Sequence, residues 1–128
     1  MKTIFNWLVT HKTGAVLLSI GWAALIFVGC LLPGKDIPSL SIFEYDKLVH
    51  FGIFAALAFL LLCIFRNPSF IQSFRVLFFC SAYGYALEVL QGSGWVTGRS
   101  FDLYDALADG LGALMGIGVF FVANRLCR

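Results

Sequence analysis

The chain has 128 residues, of which 60% are hydrophobic and only 12% charged, with a formal net charge of +2. A soluble domain carries about 25% charged residues, so this composition, with its mean hydropathy of +0.90, excludes an ordinary soluble enzyme or binding module and marks an integral membrane protein. The reading is one all-α membrane domain over residues 1–128, an N-in/C-in four-helix bundle with spans at about 14–32, 47–65, 75–91 and 104–123.

Ahead of the first span, MKTIFNWLVTHK sets Phe5, Trp7 and Leu8 between cations, a pattern suited to the inner membrane interface. The first span, GAVLLSIGWAALIFVGCLL, carries no charge and reads as an ordinary transmembrane helix. Lys2 and Lys12 before an apolar run ending at Cys30 also suit a cleaved signal with a lipid-attached cysteine. Phe27 is bulky for that role, and a retained signal-anchor is preferred.

The second span opens with Asp46 and Lys47 and carries His50 one turn inside, on a face shared with Ile53 and Leu57. In the third, Gly84, Glu88 and Gln91 share a face, and in the fourth Asp105, Asp109, Gly112 and Gly116 form one stripe. An ionisable group in hydrocarbon costs about 2.5–3.5 kcal/mol on insertion scales, so these residues should face the interior or a wet cavity. Gly112 and Gly116 are a small-xxx-small pair that admits a neighbouring backbone and should hold the carboxylates above it near Glu88. The glycine-rich loop GSGWVTGRSFDLYD brings interface aromatics Trp95, Phe101 and Tyr104 and one cation, Arg99. Among Glu88, Asp102 and Asp105, Arg99 would either tie the loop down or fork onto an anionic ligand.

Topology follows from the basic residues. With the N-terminus inside, Lys2, Lys12, Arg66, Arg75, Arg125 and Arg128 are cytoplasmic, while Lys35, Lys47 and Arg99 are outside. All the acids, Asp36, Glu44, Asp46, Glu88, Asp102, Asp105 and Asp109, then fall on the outer side. The basic residues form no aromatic-interleaved groove, which argues against a nucleic-acid partner. Cys30, Cys63, Cys80 and Cys127 have no metal-site spacing and read as small apolar filler.

Three segments carry a family resemblance: DKLVHFGIFAALAFLLL (Asp46 to Leu62), LEVLQ (Leu87 to Gln91) and GRSFDLYDALADGLGALMG (Gly98 to Gly116). Together they resemble the VanZ-like family, small bacterial membrane proteins named after a teicoplanin-resistance protein. The family pattern falls on Asp46, Lys47, His50, Glu88, Gln91, Arg99 and Asp105, with Asp109 where an asparagine is usual. The resemblance implies a multi-pass protein of the bacterial inner membrane with an envelope role and an effect on glycopeptide susceptibility, without supplying a reaction.

The polar residues leave three functions open. An outward pocket of Asp46, Lys47, His50, Glu88, Gln91, Arg99, Asp102, Asp105 and Asp109 would bind membrane lipid, a lipid-linked cell-wall precursor or a glycan headgroup. Alternatively, Asp46, His50, Glu88, Asp105 and Asp109 would hold a divalent cation or form acid/base pairs, with His50, Glu88 and Asp105 as catalytic candidates of an intramembrane hydrolase or transferase. Ser100 and Thr97 lack the context of an activated hydroxyl. A proton-relaying transporter is the third reading, and it would need oligomerisation, because four short helices cannot enclose an alternating pathway. Oligomeric state is not legible.

Overall fold

A computed structural model describes residues 1–32 and 46–127, with the side chain of Asp46 outside the description. The described residues form five helices and no strand: α1 (Lys2–Thr10), α2 (Lys12–Leu31), α3 (Asp46–Cys63), α4 (Phe70–Gly92) and α5 (Leu103–Cys127). α2, α4 and α5 are long and apolar enough to cross a membrane, and Lys47–Cys63 of α3 is a shorter apolar helix. Their outward faces carry Leu17, Ile20, Leu25, Phe74, Phe78, Leu111, Leu114 and Val122, all exposed. Helices apolar all round need apolar surroundings, and this exterior is that of a membrane protein.

The most extensive pairing is between α3 and α5, followed by α4 with α5. Its cause is the glycine stripe. A Cβ at Gly112 would run into the backbone carbonyl of Phe51, and one at Gly116 into that of Ala55, so both glycines are occupied by the neighbouring main chain. The backbone that approaches belongs to α3. Along and below the stripe, Phe54, Leu57, Ala58 and Leu62 of α3 and Ala113 and Phe120 of α5 are fully buried.

Four hydrogen bonds onto main-chain carbonyls fasten α2 to its neighbours. Trp22 Nε1 donates to Ile53 O (2.9 Å), Tyr83 Oη to Ala23 O (2.7 Å), Gln91 Nε2 to Cys30 O (2.6 Å) and Arg99 Nε to Leu32 O (3.2 Å). The last two serve carbonyls that a helix C-terminus leaves without intrahelical donors.

Several element ends move from the sequence reading. α4 begins at Phe70, five residues before 75, because Ser69 and Gln72 build a reciprocal capping box. α5 continues to Cys127 and α3 stops at Cys63. The amino-terminal segment is a helix in its own right, ended at His11. Its Phe5 packs on Phe59 and Phe120, with ring centroids 6.2 and 5.6 Å apart, so one face of α1 lies against the helices. The four cysteines form no disulfide with one another, Cys30, Cys63 and Cys80 being buried and Cys127 half-buried.

Candidate functional site

The first turns of α3 and α5 and the last turns of α4 meet at one end of the molecule. There His50, Glu88, Gln91, Asp105 and Asp109 are all buried. The helical spacing that put each of them on an apolar stripe thus also puts them together.

At the centre, His50 Nδ1 and Asp109 Oδ1 are hydrogen-bonded at 2.8 Å. An ionised Asp109 accepts, so Nδ1 carries the proton and Nε2 the lone pair, an assignment inferred from the bond network. Nε2 lies 4.0 Å from Asp105 Oδ2, and Nδ1 lies 3.9 Å from Glu88 Oε1. Glu88 Oε2 accepts the Asp102 backbone N–H at 3.1 Å. Its other oxygen, Oε1, is buried without a hydrogen-bond partner. Gly84 makes the room: a Cβ there would lie 2.5 Å from Asp109 Oδ2.

Lys47 sits at the rim, with Nζ 3.1 Å from Asp102 Oδ2 and 3.4 Å from Asp105 Oδ1. Asp102 also caps α5, its Oδ1 accepting from Tyr104 N at 2.9 Å. The Lys47 ammonium, more than any other cause, holds the Asp102 carboxyl below its ordinary value. One expectation needs correcting here. Among the described residues, the cations drawn up to these carboxylates are Lys47 and His50, whereas Arg99 turns away to the end of α2. A cation at a helix C-terminus complements both its carbonyls and its dipole, and that need outweighs a place among the acids. Asp46, expected as a binding and metal residue, has its side chain outside the described ones.

Beside this cluster runs a cavity of about 230 Å³ lined by Trp22, Leu25, Ile26, His50, Ile53, Gln91 and Arg99, among others. Its wall from α2 was not legible as functional, since α2 reads as a plain span. The one signal was Trp22, whose indole N–H needs an acceptor when buried in apolar surroundings. For a metal, His50, Glu88 and Asp105 offer one donor atom each, all within 4.8 Å of one another. Chemically, the arrangement can orient an imidazole, bind a cation, or present polar groups to a headgroup beside an apolar slot.

No curated protein and no solved structure matches this chain. The family model VanZ/LLP1, however, matches residues 2–124, nearly the whole chain. With the motif residues of α3, α4 and α5 gathered at one end of a set of membrane-span-like helices, the chain belongs to the VanZ/LLP1 family.

Proposed function

We propose that this protein binds an amphiphile with an anionic headgroup, of the lipid-linked envelope-precursor class, at the outer face of the bacterial cytoplasmic membrane. The observation that carries the reading is the cavity beside His50. Its walls are apolar side chains of α2 and α3, while His50, Gln91 and Arg99 gather polar and cationic groups on its lining. Arg99 engages Leu32 through Nε, and a guanidinium has further N–H donors suited to a phosphate or carboxylate. Lys47, His50, Glu88, Gln91, Arg99, Asp102, Asp105 and Asp109 form the binding end in this reading, with Asp46 at its edge. The consequence for the cell would be a change in envelope properties or glycopeptide susceptibility.

The test is quenching of tryptophan fluorescence in the detergent-purified protein by a short polyprenyl phosphate and by the corresponding neutral polyprenol. Saturable binding of the phosphate, about tenfold or more tighter than the alcohol, is expected, that ratio being about 1.4 kcal/mol. Gly29→Leu should abolish it, because Gly29 lines the cavity and a Cβ there meets nothing within 4 Å. Equal affinity for phosphate and alcohol, or unchanged binding by Gly29→Leu, would refute the reading.

The same proposal carries the topology: a single domain of four spans, N-in and C-in, with α1 along the inner interface. Six basic residues against three support it, and the 17 residues Lys47–Cys63 reach the lower limit of a spanning helix. In a Cys127→Ser background, a membrane-impermeant maleimide added outside intact cells should label Ser93→Cys and leave Asn67→Cys unlabelled. The reverse pattern inverts the orientation.

A second reading, a hydrolase or transferase acting on the same amphiphile, draws on the 2.8 Å His50–Asp109 bond, which would orient an imidazole for proton transfer. Turnover of the polyprenyl phosphate by wild-type protein, lost in His50→Gln, would favour it over binding alone.

A further inference from the structure

We propose that His50, Glu88 and Asp105 bind a single divalent cation of the Zn²⁺ or Mn²⁺ type, with Asp109 holding His50 in place from behind. This assignment does not depend on the amphiphile reading.

Three helices each deliver one donor, and the donor atoms lie within 4.8 Å of one another. A cluster of buried acids alone would say little, but Glu88 adds an observation of a different kind. It is fully buried. One oxygen takes the Asp102 N–H, while the other, 3.9 Å from His50 Nδ1, has no hydrogen-bond partner. Buried polar atoms are nearly always satisfied, and a cation seated among the Glu88, Asp105 and His50 donors, which lie within 4.8 Å of one another, would satisfy this one.

One pair of donors already stands near the span of an ion. His50 Nε2 and Asp105 Oδ2 are 4.0 Å apart. An ion between them at about 2.0–2.2 Å from each, the usual zinc–nitrogen and zinc–oxygen range, needs only a small inward movement of the carboxylate. Asp109 on Nδ1 then completes the carboxylate–histidine arrangement that fixes the ring of a metal-bound imidazole. Charge points the same way. Glu88, Asp105 and Asp109 are all but inaccessible, whereas Lys47, the amine beside them, keeps a side chain 55% exposed at the rim. Imidazole with carboxylates suits the borderline Zn²⁺, and Mn²⁺ as the transition ion that also favours carboxylates, over the all-oxygen sites of Ca²⁺ and Mg²⁺.

The experiment uses the full-length protein, tag removed, stripped with chelator in mild detergent and dialysed against Zn²⁺, Mn²⁺, Mg²⁺ or Ca²⁺ alone, with elemental analysis of the retained metal. Stoichiometric Zn²⁺ or Mn²⁺ is expected, with a melting temperature that rises with free ion, as ligand linkage requires. Glu88→Gln preserves shape and the bond from Asp102, and should lose both the ion and the thermal rise. Asp105→Asn should do the same, and serves if Glu88→Gln fails to fold. Asp109→Asn should fold and bind about 10–100-fold more weakly, the range for a group that orients a ligand. Substoichiometric retention by wild type overturns the proposal. So does full retention by Glu88→Gln or Asp105→Asn, or retention of Mg²⁺ or Ca²⁺ in preference to Zn²⁺ and Mn²⁺.

Discussion

Replacing Gly112 and Gly116 together by alanine should cost this protein its folded state in detergent. Each added methyl meets main chain, the Phe51 carbonyl at one position and that of Ala55 at the other. A side chain in the way could rotate, but a helix backbone can only move away as a unit. Overpacking of this kind costs about 1–3 kcal/mol per site and occasionally more, and two sites one turn apart act on the same seam, whose loss would part α3 from α5. Gly118→Ala is the internal control. It lies on the same helix with open space around its Cβ, and removing a helical glycine there should be neutral or stabilising by about 0.5–1 kcal/mol. Thermal melts and size-exclusion profiles of the variants decide the matter, and a double variant melting with wild type would remove the seam from the account of stability.

The second large effect is expected at Asp109. Asp109→Leu removes the acceptor of the His50 ring, 2.8 Å away, and should destabilise the protein by about 1–3 kcal/mol, the cost of leaving a buried donor without its hydrogen-bond partner. Asp109→Asn keeps an oxygen acceptor and nearly the same shape, so it should melt close to wild type. Parallel melts of the two variants separate shape from charge. A leucine variant as stable as the asparagine one would mean that the His50–Asp109 bond contributes nothing net.

The gathering of His50, Glu88, Gln91, Asp105 and Asp109 was legible because each lies on a helix, where steps of three and four residues fix which side chains share a face. Gly112 and Gly116 were legible for the same reason, although the sequence could not say which neighbour would fill the gap, and it is α3. Arg99 was misplaced because it stands in a connection with no periodicity to aim it. Its carbonyl target, Leu32, is 67 residues earlier and carries no compositional signal. Lys47 was read as part of a motif, but its pairing with Asp102 and Asp105 depends on how the ends of α3 and α5 align. Spacing within one helix does not encode that alignment. The early start of α4 was available in Ser69 and Gln72, a cap pattern that the apolar run beginning later had obscured.

The way α2 is fastened has an evolutionary corollary. Tyr83, Gln91 and Arg99 all grip it through carbonyl oxygens, at Ala23, Cys30 and Leu32, and a carbonyl is the same whatever side chain its residue bears. Apart from Trp22 and the buried Ala15, Ser19, Ile26 and Cys30, the helix can therefore change its amino acids while its place beside α3 and α4 is retained. Leu25 and Gly29, exposed residues in the wall of the cavity, are among the positions so released. Homologues could then diverge in the shape of the slot they offer a hydrophobic chain while the polar end stays fixed.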